Sequence, residues 1–292
     1  MGKLLRLLWR LIIAPFRFIL WILHLIIRWF RTISQEISEF IKEEPEDAPL
    51  PDAFAKAVQN PEGIFYHVNE LRKHLFRAAI FMVVTTAFSF IFTSQIIDLL
   101  ARPIGGIGAL RAIEVTESIG VFMRVALLAG FALALPYIAF ELWLFIAPGL
   151  KPRSRVYGLI ALPSTAILFI VGMAFAYFIM LPTALPFLLH FMGITTIPRP
   201  SNYVTFVTGL MFWIGMAFEF PLVVFVLAEV GLVKAKQLKD QWRLAIVIIG
   251  VIAAVVTPTV DPINMSLVMA PMTILYFLSV GLAYFAQRRR AS

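Results

Sequence analysis

Residues 118–140 read SIGVFMRVALLAGFALALPYIAF, a run in which Arg124 is the one charged side chain. A helix needs about 20 mostly apolar residues to cross the hydrocarbon core of a bilayer, so this run is long enough to span it. Five similar runs accompany it along the chain, at about 75–93, 157–180, 204–229, 243–257 and 265–285. The six runs predict an all-α integral membrane protein with six transmembrane helices, of which the last two are short.

The composition agrees with a chain that lies in lipid. Hydrophobic residues make up 61% of the 292 residues and charged residues only 14%, whereas a soluble domain carries roughly 45–50% apolar and about 25% charged residues. The net charge of +8 could also suggest nucleic acid. However, the Lys and Arg residues form short clusters between the apolar runs, without a basic face that has interleaved aromatic residues. We therefore expect no nucleic-acid partner.

Residue types that carry catalysis or bind metals are scarce. The chain has no Cys, and its four His residues, His24, His67, His74 and His190, are dispersed. The HExxH and GxSxG motifs and phosphate-binding glycine loops are missing from the sequence. We therefore predict that the protein is not an enzyme and has no catalytic residue, metal site or cofactor.

Basic residues take one side of the predicted membrane. Three clusters follow the second, fourth and sixth runs: Lys151, Arg153 and Arg155; Lys234, Lys236, Lys239 and Arg243; and Arg288, Arg289 and Arg290. The alternate loops hold only Arg102 and Arg111, and then Arg199. Because cytoplasmic loops carry an excess of Lys and Arg, both chain ends are predicted to be cytoplasmic. The protein would then be a multi-pass protein of the cytoplasmic (plasma) membrane.

The chain divides into four predicted parts. Residues 1–42 form a basic leader, 43–63 an acidic linker with four prolines, 64–287 the six-span domain and 288–292 a basic tail. The basic residues of the leader share one helical face: Lys3, Arg6, Arg10, Arg17, His24, Arg28 and Arg31. A cationic stripe over an apolar face favours an amphipathic helix that lies in the membrane interface. A seventh span is the alternative, in which Arg17 and His24 would lie in the membrane.

Small residues and prolines recur inside the runs. Ala126, Gly130 and Ala134 form a small-xxx-small ridge, as do Gly172 and Ala176. Such ridges predict close helix packing in a membrane. Prolines are expected to kink four of the spans, at Pro136, Pro163, Pro221 and Pro271.

Polar side chains in apolar runs are costly and mark function by default. Glu219 is about fifteen residues into the fourth run, where it is either functional or a neutral acid that bridges two helices. Glu141 lies at the cytoplasmic mouth of the second run, and we interpret it as an interfacial residue. Arg124 follows Glu117 by about two turns, and we expect the two to neutralise each other. Asp261 lies in the tight turn between the last two runs, where the expected role is a turn cap.

The stretch YHVNELRKHL, residues 66–75, precedes the first span. In a helix, Glu70 would lie beside Lys73 and His74 at i,i+3 and i,i+4. Alone, this is an ordinary solvated charge run, but HVNELRKHL resembles the H-L-x-E-L-R-x-R-L opening of TatC, the multispanning subunit of the twin-arginine protein translocase. Five further stretches resemble that family in chain order: VTESIGVFMRVALLAG (115–130), LWLFIAPGL (142–150), VGMAFAYFIMLP (171–182), GMAFEFPLV (215–223) and TPTVDP (257–262). The resemblance covers about residues 64–285.

The resemblance implies a concave six-helix bundle that recognises Arg-Arg signal peptides and scaffolds the export of folded proteins. The implied partners are these peptides, TatA- and TatB-like single-span proteins, membrane lipids and further copies of the chain. By resemblance, Glu70 accepts the guanidinium pair, and Leu71 and Arg72 shape the patch. Glu219 would form a polar floor for the inserted peptide or partner.

Two positions depart from the family pattern. Ser154 stands where a second carboxylate is usual, and His74 stands where the family has Arg. The twin-arginine site is therefore either displaced towards Glu141 or weaker. Two other functions stay open: a proton- or ion-coupled solute transporter, in which Glu219 and Asp261 titrate, and a purely structural membrane scaffold.

Overall fold

A computed structural model describes residues 61–149, 152–190, 197–257 and 262–291, and these residues form helices and turns with no strand among them. The predicted leader, residues 1–42, lies outside the described residues. The helices are α1 (Pro61–Ser89), α2 (Thr93–Ala101), α3 (Glu117–Ile146), α4 (Pro152–Phe175), α5 (Leu181–Leu189), α6 (Pro200–Val230), α7 (Ala235–Asp240), α8 (Trp242–Val256) and α9 (Pro262–Ala291). The predicted all-helical class is therefore confirmed.

Each of the six predicted runs coincides with a helix. Four segments are long and apolar enough to cross a membrane alone: Glu117–Ile146, Leu162–Leu189, Pro200–Glu229 and Pro262–Arg288. The first run passes only as a pair of helices, His67–Ser89 and Thr93–Ile104, which are bent by 74°. Helix α8 has 15 residues, or about 22 Å at 1.5 Å per residue, against a hydrocarbon core of about 30 Å. The fold is that of a membrane protein, and the count of six spans stays a prediction.

The four prolines predicted to interrupt the spans all lie inside helices. Pro136 is in α3, Pro163 in α4, Pro221 in α6 and Pro271 in α9. The third span also contains a π-helical turn at Ala176–Met180, which joins α4 to α5. Since π turns and prolines both interrupt the regular hydrogen-bond ladder, these are the points at which the helices are expected to bend.

The ridge of small residues on α3 brings α1 into close contact. A Cβ atom on Gly130 would lie 2.5 Å from the Thr86 Cα atom. Thr85 Oγ1 donates a hydrogen bond to the Gly130 carbonyl at 2.9 Å, and Ser89 Oγ donates to the Ala126 carbonyl at 2.7 Å. The predicted packing role of this ridge is confirmed, and it seats α1 on α3.

The centre of the bundle is the contact between α4 and α6. A Cβ atom on Gly172 would lie 2.8 Å from the Gly215 Cα atom, and the fully buried Phe169 ring packs on Gly215. Tyr177 and Tyr203 donate hydrogen bonds to the carbonyls of Leu99 and Leu100 at 2.7 and 2.6 Å. These bonds hold the short helix α2 against the bundle at the end opposite to Glu70.

Candidate functional site

The inner end of the bundle, defined here by the start of α1 and the last turns of α3, carries Glu70. Lys73 Nζ lies 2.7 Å from Glu70 Oε1, which confirms the expected i,i+3 pair. The Glu70 side chain is 30% exposed and that of Lys73 is 52% exposed. Leu71 is half-buried and Arg72 is exposed. The site therefore presents a carboxylate that solvent or a ligand can reach.

Glu141 lies beside this surface but is enclosed. Only 1% of the residue is exposed. Its Oε2 atom lies 2.6 Å from His74 Nδ1 and 4.0 Å from Arg77 Nη1, and its Oε1 atom accepts a hydrogen bond from the Tyr137 hydroxyl. Glu141 is therefore enclosed within the protein, because α1 covers it and places His74 and Arg77 beside its carboxylate, and its position at the membrane interface stays a prediction.

Phe145 completes the contact between α1 and α3. Its ring centroid lies 5.1 Å from that of His67 and 6.3 Å from that of His74. Since His67 and His74 are seven residues apart, two turns of α1 rest on the end of α3. Glu70 lies between them in sequence, three residues after His67 and four before His74, and so lies beside this contact. The sequence showed the two histidines but not the surface they share.

The Ser154 side chain and the whole of Asp261 lie outside the described residues. The neighbouring Arg155 is 3% exposed, and its Nη2 atom donates to the Pro148 carbonyl at 3.3 Å. The sequence analysis counted Arg155 only as a topology signal, yet this guanidinium is part of the packing at the end of α3.

The expected pairing of Arg124 with Glu117 is wrong. Glu117 is buried and accepts a hydrogen bond from Arg199 Nε at 3.0 Å, while Arg199 Nη2 also lies 3.2 Å from Glu114 Oε1. Arg124 is seven residues from Glu117, or about 10 Å along a helix, so its side chain starts too far away. Arg199, which immediately precedes α6, lies within hydrogen-bonding distance of Glu117 instead. Arg124 is exposed on α3.

Glu219 is buried on α6, with 7% of the residue exposed. Its Oε1 atom has no hydrogen-bond partner among the described residues. The described ranges also contain no group of three His, Asp or Glu side chains that could hold a metal ion. Glu219 is therefore a buried carboxyl with one oxygen that lacks a donor among the described residues, which in a membrane is costly.

Comparisons of the sequence with a family model and with related proteins point to one family. The family model described as Sec-independent protein translocase protein (TatC) matches residues 66–271. The Sec-independent protein translocase protein TatC of Deinococcus radiodurans is 34% identical over 248 residues, which cover 82% of this chain and 91% of that protein. The protein of the same description from Koribacter versatilis is 36% identical over 232 residues, covering 75% and 83% of the two chains.

A solved structure agrees with these relatives. A crystal structure described as that of the twin arginine translocase receptor TatC superposes with a TM-score of 0.67 at 32% identity. It covers 75% of this chain and 99% of that chain. All of these descriptions are of a protein translocase component, and so the solute transporter that the sequence analysis kept open is not favoured.

Proposed function

The chain belongs to the TatC family of Sec-independent protein translocase proteins, and on that premise we propose that the inner end of α1 binds twin-arginine signal peptides through Glu70. The protein is a multi-pass membrane protein and a non-enzymatic subunit of the twin-arginine translocase. The peptides, which precede folded cargo, would dock on the surface formed by Glu70, Leu71 and Arg72.

The observation that carries this proposal is the contrast between two neighbouring carboxylates. Glu141 is enclosed and has both oxygens engaged, whereas Glu70 is partly exposed and bonded to a single exposed lysine. Exposed Lys–Glu pairs contribute only about 0–1 kcal/mol. A guanidinium forms two parallel hydrogen bonds with a carboxylate where an ammonium forms one. An incoming arginine can therefore displace Lys73 from Glu70 at little cost.

The same contrast argues against a site displaced to Glu141. A guanidinium pair would have to break the contacts of Glu141 with His74 and Tyr137 before it could bind there. We therefore keep the site at Glu70, with weaker recognition than a second carboxylate at position 154 would give.

We further propose that the intramembrane polar residues meet partners. Glu219, whose Oε1 atom lacks a donor among the described residues, is suited to a hydrogen-bond donor from an inserted peptide or a single-span TatA- or TatB-like helix. Arg124 is exposed on α3 and would contact such a helix, a second copy of the chain or lipid headgroups. Asp261 keeps its proposed place in the turn before α9.

Photocrosslinking tests the peptide site. A photoreactive amino acid at Asn69, which is exposed next to Glu70, should crosslink to a signal peptide with Arg-Arg and much less to the same peptide with Lys-Lys. Glu70→Gln should abolish this preference, because a neutral amide cannot form the charge-assisted pair. Ser154→Glu should strengthen it several-fold, an effect worth about 1 kcal/mol that salt weakens.

The matched control is Lys73→Gln. It breaks the same ion pair from the other side and leaves the Glu70 carboxylate free, so the preference for Arg-Arg should persist or rise. If Glu70→Gln keeps the full preference for Arg-Arg while the protein accumulates normally, Glu70 is not the acceptor and the proposal is wrong.

A further inference from the structure

A buried polar cluster joins α1 to α3 one helical turn from Glu70. It consists of the Glu141 carboxylate, the His74 imidazole at 2.6 Å and the Tyr137 hydroxyl, with Arg77 at 4.0 Å. The Glu141 side chain is 2% exposed and that of His74 is 13% exposed. A buried carboxylate is costly unless it is paired and hydrogen-bonded. Glu141 therefore constrains the position of His74, and with it the face of α1 that carries Glu70.

Among the residues that the structure describes, this cluster links α1 to α3 through polar side chains at the inner end. Among the described residues, the main packing partner of α1 is α3. In the outer half of that contact, hydroxyl groups of Thr85 and Ser89 donate to α3 carbonyls. Backbone carbonyls accept such bonds over a range of orientations, whereas the His74–Glu141 contact joins two specific side chains. The angle of the inner half of α1 therefore depends on this contact.

We propose that Glu141, acting through His74, is a positioning residue that sets the orientation of Glu70 for the guanidinium pair of the signal peptide. The proposal rests on the proposed function of Glu70. Glu141 does not bind the peptide, because its two oxygens are already engaged. It holds the first turns of α1 against Phe145, and Glu70 lies in those turns, three residues after His67 and four before His74.

His74 is the residue at which this chain departs from the arginine of the family pattern. The imidazole is shorter than an arginine side chain, and it reaches Glu141 because α1 lies close to α3 at this level. An arginine at position 74 would also reach Glu141, with two hydrogen bonds instead of one. The contact with Glu141, rather than the identity of the side chain at position 74, is what the positioning role requires.

The test measures the binding of two signal peptides, identical except for Arg-Arg or Lys-Lys, to the full-length protein in lipid nanodiscs. The quantity compared is the dissociation constant of the Lys-Lys peptide divided by that of the Arg-Arg peptide, which is large when the protein prefers Arg-Arg. Glu141→Gln, which preserves size, and His74→Leu should each lower this ratio about tenfold or more, since misplacing a recognition group by about 1 Å has large effects. His74→Arg should keep the ratio within about twofold of the unmodified protein.

The matched control is Glu117→Gln. Glu117 is a carboxylate of similar burial, with 3% of its side chain exposed, and it is also paired with a cation, but it lies at the outer end. Its substitution should leave the ratio of dissociation constants unchanged. A fall in the ratio for Glu117→Gln equal to that for Glu141→Gln would mean that any loss of a buried ion pair has this effect, and the positioning role would be rejected.

A purely structural role predicts a different pattern. If Glu141→Gln weakens both peptides equally, or changes the ratio less than twofold, the inference is wrong even if Glu70→Gln abolishes the preference. If the unmodified protein itself does not distinguish Arg-Arg from Lys-Lys, the proposed function fails and the positioning role fails with it. If His74→Leu does not accumulate in the membrane, the isosteric Glu141→Gln decides.

Discussion

Replacing Gly130 by alanine should separate α1 from α3. The added Cβ atom would lie 2.5 Å from the Thr86 Cα atom, whereas carbon atoms in contact are normally about 3.5–4.0 Å apart. The obstacle is backbone, which cannot rotate away as a side chain can. Helix α1 must therefore move back by about 1 Å or more.

The cost follows from what that movement breaks. The bonds from Thr85 to Gly130 and from Ser89 to Ala126 are now 2.9 and 2.7 Å long, and a shift of about 1 Å takes both beyond hydrogen-bonding distance. Interhelical hydrogen bonds in membranes average about 0.6 kcal/mol each, and overpacking typically costs about 1–3 kcal/mol. The sum is a loss of about 2–4 kcal/mol.

Gly120→Ala is the control in the same helix. A Cβ atom on Gly120 would meet nothing within 4 Å, and both variants gain the same helix propensity of roughly 0.5–1 kcal/mol. Thermal unfolding of the purified proteins in one detergent should give a melting temperature about 5–15 °C lower for Gly130→Ala than for Gly120→Ala. Equal melting temperatures would refute the close contact between α1 and α3.

Two further predictions concern buried carboxylates. Arg199→Gln should lower the melting temperature by about 3 °C or more, because it leaves Glu117 without its cation. Arg124→Gln should not change the melting temperature. If only Arg124→Gln lowered it, Glu117 would be paired with Arg124 after all. Glu219→Gln should leave the melting temperature unchanged or raise it, because a buried carboxyl is more costly than an amide, while it weakens co-purification of a single-span partner helix. A clear fall in melting temperature for Glu219→Gln would instead indicate that Glu219 bridges two helices within the fold.

Hydropathy predicted where the helices lie but not how they bend. The first run was expected to continue to about residue 93, yet α1 ends at Ser89 and the chain turns by 74° before Thr93. The segment SFIFTS, residues 89–94, is nearly as apolar as the helix before it. A bend that keeps apolar residues in lipid leaves no trace in hydropathy, because both arms of the bend are equally suited to the membrane.

Contacts between charged side chains were predictable from spacing only when both partners lie on one helix. The spacing of Glu70 and Lys73 was sufficient to predict their ion pair. Arg199 is 82 residues from Glu117, and His74 is 67 residues from Glu141, so spacing carries no information about these two contacts. At Glu117 the local neighbour Arg124 was the wrong guide, because Arg199 from a distant part of the chain supplies the hydrogen bond.

The three carboxylates in these contacts differ in a way that bears on their roles. Glu117 and Glu141 have side chains only 3% and 2% exposed, and each is paired across two elements of the bundle. Glu70 is paired within its own helix and is 30% exposed. A carboxylate kept only for stability gains little from an exposed lysine, since such pairs contribute about 0–1 kcal/mol. The pairing of Glu70 is therefore too weak to account for the residue by stability alone, while its accessibility is what an exchangeable guanidinium contact requires.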